Sequence, residues 1–266
     1  MPPPDREQRL AALRATIADI ERKPALAEAR AQVEDGADRF PRLPGGLMQE
    51  IYIDDWRRQA GAGLGFALTQ AIALRGGPRR AVLHLQLAGQ SGAGGLPYGP
   101  GLRAFGLAPD DLVLVQAPDM AGLLWAVEEA LSCRALAAVI AGIGPSARVL
   151  DFTASRRLGL RAGAGGCSLF LLRSGAARPA SAAHLRWHLL PSRSAGRAYD
   201  AHAPGAPRWR LRLERGTLLR QHSEWLLDWT DHGLANVTFP ARSGRSGAAL
   251  SRPLPAALAD RLSQTA

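Results

Sequence analysis

The chain is almost without lysine. All but one of its 33 lysine-plus-arginine residues are arginine, and the single lysine, Lys23, stands in a charged N-terminal segment, not behind a glycine-rich loop. That absence excludes a standard nucleoside-triphosphate site. A phosphate loop reads G-x-x-x-x-G-K-[ST]: amides cradle the phosphates, the lysine reaches the β/γ oxygens, and the hydroxyl holds Mg²⁺. Cysteine is scarce as well. Cys133 and Cys167 are too few and too far apart for a disulfide framework or a zinc centre. Their apolar neighbours predict buried free thiols. No run of about 18 apolar residues is present, so no segment reads as a membrane span. Met1-Pro2-Pro3-Pro4-Asp5 opens a polar segment and not a secretory signal. Together these features predict a cytoplasmic protein.

What is there suits one large α/β domain with extensions. The chain has 266 residues, of which 47% are hydrophobic, and a formal net charge of +10. Arginine is planar, weakly hydrated and bidentate toward phosphate, so this charge attracts polyanions. GC-rich coding bias accounts for the missing lysines but leaves the net charge standing.

Residues 1–36 read as a helical extension. Leu10, Leu13, Ile17 and Ile20 recur at three- and four-residue steps and give one apolar stripe, which predicts docking on a partner or a second copy. Pro24 interrupts it, and a Pro/Gly linker follows from Gly36 to Pro44. Residues 37–240 then alternate. Strands are predicted at 47–53, 81–87, 112–116, 135–141 and 168–172, and helices at 64–74, 100–105, from Asp119 through Leu131, and at 153–161. Apolar strands without polar alternation mean a mostly parallel sheet covered on both faces. After Gly175 three strands follow without helices, at 184–190, 208–213 and 224–229. These predict antiparallel strands at one edge of the sheet. Residues 241–266 form an Arg-, Ser- and Gly-rich tail.

The stretches Asp110-Asp111-Leu112-Val113-Leu114-Val115-Gln116-Ala117-Pro118-Asp119 and Ala137-Ala138-Val139-Ile140 resemble the RecA superfamily. Leu43-Pro44-Gly45-Gly46-Leu47, Ala126-Val127-Glu128-Glu129-Ala130-Leu131, Leu150-Asp151-Phe152-Thr153-Ala154-Ser155-Arg156-Arg157-Leu158 and Pro207-Arg208-Trp209-Arg210-Leu211 are similar to the ImuA family, RecA-like accessory proteins of bacterial mutagenesis cassettes. The resemblance covers roughly Leu43 to Trp229. It implies a RecA-like mostly parallel α/β sheet flanked by helices. It also implies a role in damage-induced, error-prone translesion synthesis. The implied partners are the catalytically inactive Y-family polymerase homologue of the same cassette, an error-prone C-family polymerase and RecA, with self-association as a further expectation.

Three departures from RecA predict a scaffold without ATPase activity and without a cofactor. The glycine-rich segment Gly61, Gly63, Gly65 reads as a degenerate phosphate loop with no lysine or hydroxyl after it. The strand ending Val139-Ile140-Ala141 runs into Gly142-Ile143-Gly144, with no aspartate for Mg²⁺. The strand 82–87 leads to Ala88-Gly89-Gln90, with no glutamate to orient water. An inhibitor of cell division like SulA and an atypical NTPase using Arg57 and Arg58 are the rival readings. His184 and His188 share a strand face but lack the companions of a metal site. Arg208, Arg210 and Arg212 alternate on one strand and so share a face. With Arg173 and Arg178 they are the candidate contacts for weak, sequence-independent DNA binding.

Overall fold

The structure, a computed structural model, describes residues 40–90, 95–144, 150–197, 199–216, 224–230 and 233–237. The apolar helix stripe Leu10, Leu13, Ile17 and Ile20 and the tail 241–266 lie outside the described residues.

The parallel half is built from β1 (Met48–Ile53), β2 (Ala81–Leu87), β3 (Leu112–Ala117), β4 (Leu136–Gly144), β5 (Ser168–Ser174) and β6 (Leu185–Ser192). Four helices connect them: α1 (Trp56–Ala73), α2 (Gly99–Ala104), α3 (Met120–Ala130) and α4 (Phe152–Gly165). Local chemistry sets their starts. The carboxylates of Asp55, Asp119 and Asp151 accept from the amides of Arg57, Gly122 and Ala154 at 2.9, 2.7 and 2.7 Å, capping α1, α3 and α4. Gly166, at φ 65°, closes α4 in the left-handed conformation that glycine adopts without strain.

A short hairpin, β7 (Gly196–Arg197) with β8 (Asp200–Pro204), leads to β9 (Arg208–Arg215), β10 (Glu224–Thr230) and β11 (Gly233–Val237). Among the described residues the large sheet has nine strands in the order β11-β10-β9-β6-β1-β5-β4-β2-β3. Pairings from β6 to β3 are parallel, and those from β6 to β11 are antiparallel. This is the mostly parallel sheet with antiparallel edge strands that the sequence predicts. The β7–β8 hairpin and β11 were not predicted, because they carry too few apolar residues to show a period.

The sheet buries a different core on each face. Under α1 lie Ile51, Phe66, Phe170, Trp187, Leu211 and Trp225. Phe40 closes this aromatic core, its ring 6.0 Å from Phe66 and 5.8 Å from both Trp187 and Trp225, all edge-on or tilted. Under α3 and α4 the core is aliphatic: Met48, Leu85, Leu123, Val127, Leu158 and Leu169. β1 serves both. Its side chains alternate, so Gln49, Ile51 and Ile53 face α1 while Met48, Glu50 and Tyr52 face the other way.

Candidate functional site

Open α/β sheets bind ligands at the carboxyl ends of their strands. At that end β1 stops at Ile53 and α1 starts at Trp56, leaving only Asp54 and Asp55 between them. Gly61, Gly63 and Gly65 are therefore not a loop, which corrects the sequence reading: they lie inside α1. Close packing explains Gly63 and Gly65. A Cβ on Gly63 would sit 3.4 Å from Ile53 Cγ2, and one on Gly65 would sit 3.3 Å from Phe105 Cζ and 3.4 Å from Trp209 Cζ2. Glycine costs roughly 1 kcal/mol relative to alanine in a helix interior, and here the helix settles closer to the sheet in return. Among the first amides of α1, where a phosphate would dock, that of Arg57 donates to the chain's own Asp55 carboxylate.

Trp56 takes up the neighbouring space. Its ring lies against Gly142 near the end of β4, so closely that a Cβ there would meet Trp56 Cη2 at 2.9 Å. That is the strand end where RecA-like proteins would carry a metal-binding aspartate and this sequence has none. Glycine is thus required under the indole. Arg57 and Arg58 point to solvent, and Arg58 Nε is 3.5 Å from Asp55 Oδ2.

Beside Trp56, α1 borders a cavity of about 220 Å³ over β2. Its floor is His84 and Gln86, its α1 wall includes Ala60, Gly61 and Leu64, and its rim is Leu96 to Tyr98 with Phe105 of the α2 end. No charged residue lines it among the described residues. Burial holds the His84 imidazole neutral, its pKa lowered to about 4.

On the opposite face, the strand centre carries charge. Glu50 is fully buried among arginines. Its Oε1 pairs with Arg173, while its Oε2 accepts from Arg186 Nε at 2.9 Å and from Ser181 Oγ at 2.8 Å. Arg186 Nη2 also donates to the Pro179 carbonyl at 2.7 Å. The Tyr52 ring is surrounded by Arg178, Arg173 and Arg186, with guanidinium carbons 4.0, 5.3 and 5.4 Å from its centroid. Burial and the nearby Glu50 raise the Tyr52 phenol above its ordinary pKa, against the pull of the three guanidiniums. Arg173, read from sequence as a DNA contact, is 1% exposed and cannot reach a phosphate. Arg178 stacks on Tyr52 and pairs with Glu214 at 2.8 Å.

The arginines of β9 do share one face, but most are paired across the sheet. Arg208 holds Asp228 with two hydrogen bonds, the second 2.6 Å, and this bonding raises its pKa. Arg210 pairs with Glu224. Arg212 is exposed and makes no ion pair among the described residues.

Other sequence candidates have structural jobs. His184 Nδ1 accepts from the Met48 amide at 3.0 Å, and His188 Nε2 meets Asp54 Oδ1 at 2.7 Å. No group of metal ligands forms among the described residues. Cys167 is buried, and burial raises its thiol to about 11. Cys133 is exposed, contrary to expectation, because it falls in the turn after α3, where its amide bonds the Ala130 carbonyl. Sequence reasoning missed Glu50, Tyr52, Trp56 and His84. One signal was available: Gln49-Glu50 interrupts a strand predicted to be buried, and a buried carboxylate demands partners.

Comparison with known proteins finds one kind of relative. The chain is 36% identical over 128 residues to Protein ImuA of Caulobacter vibrioides strain NA1000 / CB15N, and equally to Protein ImuA of strain ATCC 19089 / CIP 103742 / CB 15. Each match takes in 44% of this chain and 50% of the relative, so the chain spans about half the length of the curated relatives it matches. No family model matches. No helix among the described residues is long and apolar enough to cross a membrane.

Proposed function

We propose that the chain is an ImuA-like, non-catalytic RecA-fold accessory protein that serves damage-induced, error-prone DNA synthesis. The match to two ImuA proteins supports the role. The seat of Trp56 on Gly142 carries the non-catalytic part. A nucleotide-hydrolysing site needs a phosphate cradle, a metal carboxylate and an ordered water. Here the Arg57 amide at the start of α1 meets Asp55, an indole stands where the carboxylate would project, and β2 ends in Leu87 ahead of Ala88-Gly89-Gln90. The chain then acts by contact. It holds the inactive Y-family polymerase homologue of its cassette and, through that homologue, a C-family polymerase, with RecA a further partner. It lies on DNA only weakly and without sequence preference.

Two measurements test this. In a steady-state assay with single-stranded DNA, ATP turnover stays at background. Turnover that vanishes on Arg57→Ala or Arg58→Ala overturns the non-catalytic reading and restores an arginine-based NTPase. In co-expression, the Y-family homologue co-purifies with the chain. Retention of a tubulin-like division protein in its place would establish the division-inhibitor reading.

A further inference from the structure

The β7–β8 hairpin takes no part in the core. It is a two-stranded sheet of its own, set between the end of β6 and the start of β9. The Gly205 amide closes its base on the Ala195 carbonyl at 2.9 Å. None of its described residues is buried. Its turn is nevertheless built. Tyr199 is 81% exposed, more than any other large apolar side chain among the described residues. Arg197 holds it there. The Arg197 Nε donates to the Pro204 carbonyl at 3.3 Å, and its Nη1 donates to the Tyr199 phenol oxygen at 3.0 Å. The guanidinium carbon is 6.0 Å from the ring centroid. The ring is thus fixed outward in advance, and little rotamer freedom is left to lose on binding.

The composition around the ring distinguishes what it can hold. In residues 193–204 Tyr199 is the one side chain with a large apolar surface, and the rest are Arg, Ser, Ala, Gly, Asp, His and Pro. A protein interface surrounds its aromatic anchor with further packed residues, and this segment supplies none. An unpaired nucleobase needs only the face of the ring, and it brings phosphates for nearby guanidiniums. The segment carries two exposed arginines, Arg193 and Arg197, against one carboxylate, Asp200. It leads into β9, where Arg210 and Arg212 are exposed.

We propose that Tyr199 is a stacking platform for an unpaired base of single-stranded DNA, with Arg193 and Arg197 meeting the flanking phosphates. This rests on the weak DNA contact proposed above and gives it a site and a mode. Every base has a π-face, so stacking adds affinity without sequence preference. Bases in a duplex already stack on one another, so the hairpin favours single strands.

The probe is fluorescein-labelled oligo(dT) of about 16 nucleotides, long enough for one single-strand-binding module. Its anisotropy is followed as the full chain is added. Tyr199→Ala should weaken binding about 5- to 100-fold, the worth of one stacked base. Tyr199→Trp should keep it. A duplex of the same length should bind the wild type and Tyr199→Ala alike. The slope of log affinity against log salt should hold in Tyr199→Ala and fall by about 0.7 in Arg193→Gln, because only the second removes a phosphate contact. The hairpin buries no core surface, so all three variants should melt with the wild type. Single-strand affinity unchanged by Tyr199→Ala overturns the proposal, as does an equal loss on duplex. Capture of the Y-family homologue lost in Tyr199→Ala while oligo(dT) binding holds would make the hairpin a protein contact instead. A wild type that binds no oligo(dT) sinks this proposal together with the DNA contact it rests on, whereas binding that ignores Tyr199 sinks this proposal alone.

Discussion

The two faces of β1 solve burial in opposite ways. Toward α1, the Gln49 side-chain carbonyl accepts from the Trp187 indole N–H at 2.8 Å, and the rest of that face is ring and aliphatic carbon. Toward the other side, one strand position away, Glu50 sits fully buried between Arg173 and Arg186. The first face fails gently, because an aromatic core loses area in proportion to what is removed. The second fails sharply, because a buried charge has value only while its partners are present. The difference also reinterprets the arginines. A strongly basic sequence reads as a surface for polyanions. In the fold, Arg173, Arg178, Arg208 and Arg210 are held by Glu50, Glu214, Asp228 and Glu224.

The sharpest way to break the comparison is Glu50→Ala. It strands Arg173 and Arg186 in a closed core and should cost about 3–5 kcal/mol in urea unfolding. A loss below about 1 kcal/mol would show the two faces to be alike. On the α1 face, His84 provides a pH test. Its folded pKa of about 4 lies below the ordinary 6.5, so the unfolded chain takes up a proton that the folded chain refuses. Stability should therefore be complete above pH 6.5 and fall by about 1.4 kcal/mol per unit toward pH 4. His84→Gln should flatten that slope relative to wild type, as followed by chemical unfolding at several pH values.

Gly142→Ala comes next. The new methyl meets the Trp56 ring at 2.9 Å and forces the indole to shift, at about 1–3 kcal/mol. The double variant with Trp56→Ala should recover part of that loss, and a thermal melt of the set reads the coupling. The smallest effect concerns DNA. Arg212→Gln removes an exposed guanidinium that has no ion pair among the described residues. It should weaken single-strand binding and lower the slope of log affinity against log salt by about 0.7, one phosphate's worth. Arg210→Gln, whose guanidinium is held by Glu224, should lower it less.

How far the sequence reveals this molecule depends on the range of the cause. Strands of unbroken apolar residues, such as the one predicted at 135–141 and found at Leu136–Gly144, and the helix opened by Asp119 are set by neighbours, and they appear close to where periodicity and the cap predict them. Gly61, Gly63 and Gly65 mislead because glycine signals both turns and close approaches, and at Gly65 only Phe105 and Trp209, brought in from afar, tell which. The Glu50 cluster is harder still. Its partners stand 123, 131 and 136 positions along the chain, beyond any spacing rule.

The place of β1 in the strand order has a consequence for the chain as it is made. Met48 pairs with Leu169 on one side, and Gln49 pairs with Leu185 on the other. The earliest strand of the sheet among the described residues is thus its keystone, and it has no neighbour until β5 emerges and no second one until β6 follows. At roughly 5–20 residues per second of synthesis, β1 waits on the order of 6 to 24 seconds for its first partner. Through that interval Glu50 is a solvated carboxylate on a nascent chain. The ribosome's pace therefore sets how long this apolar strand stays unpaired on the nascent chain.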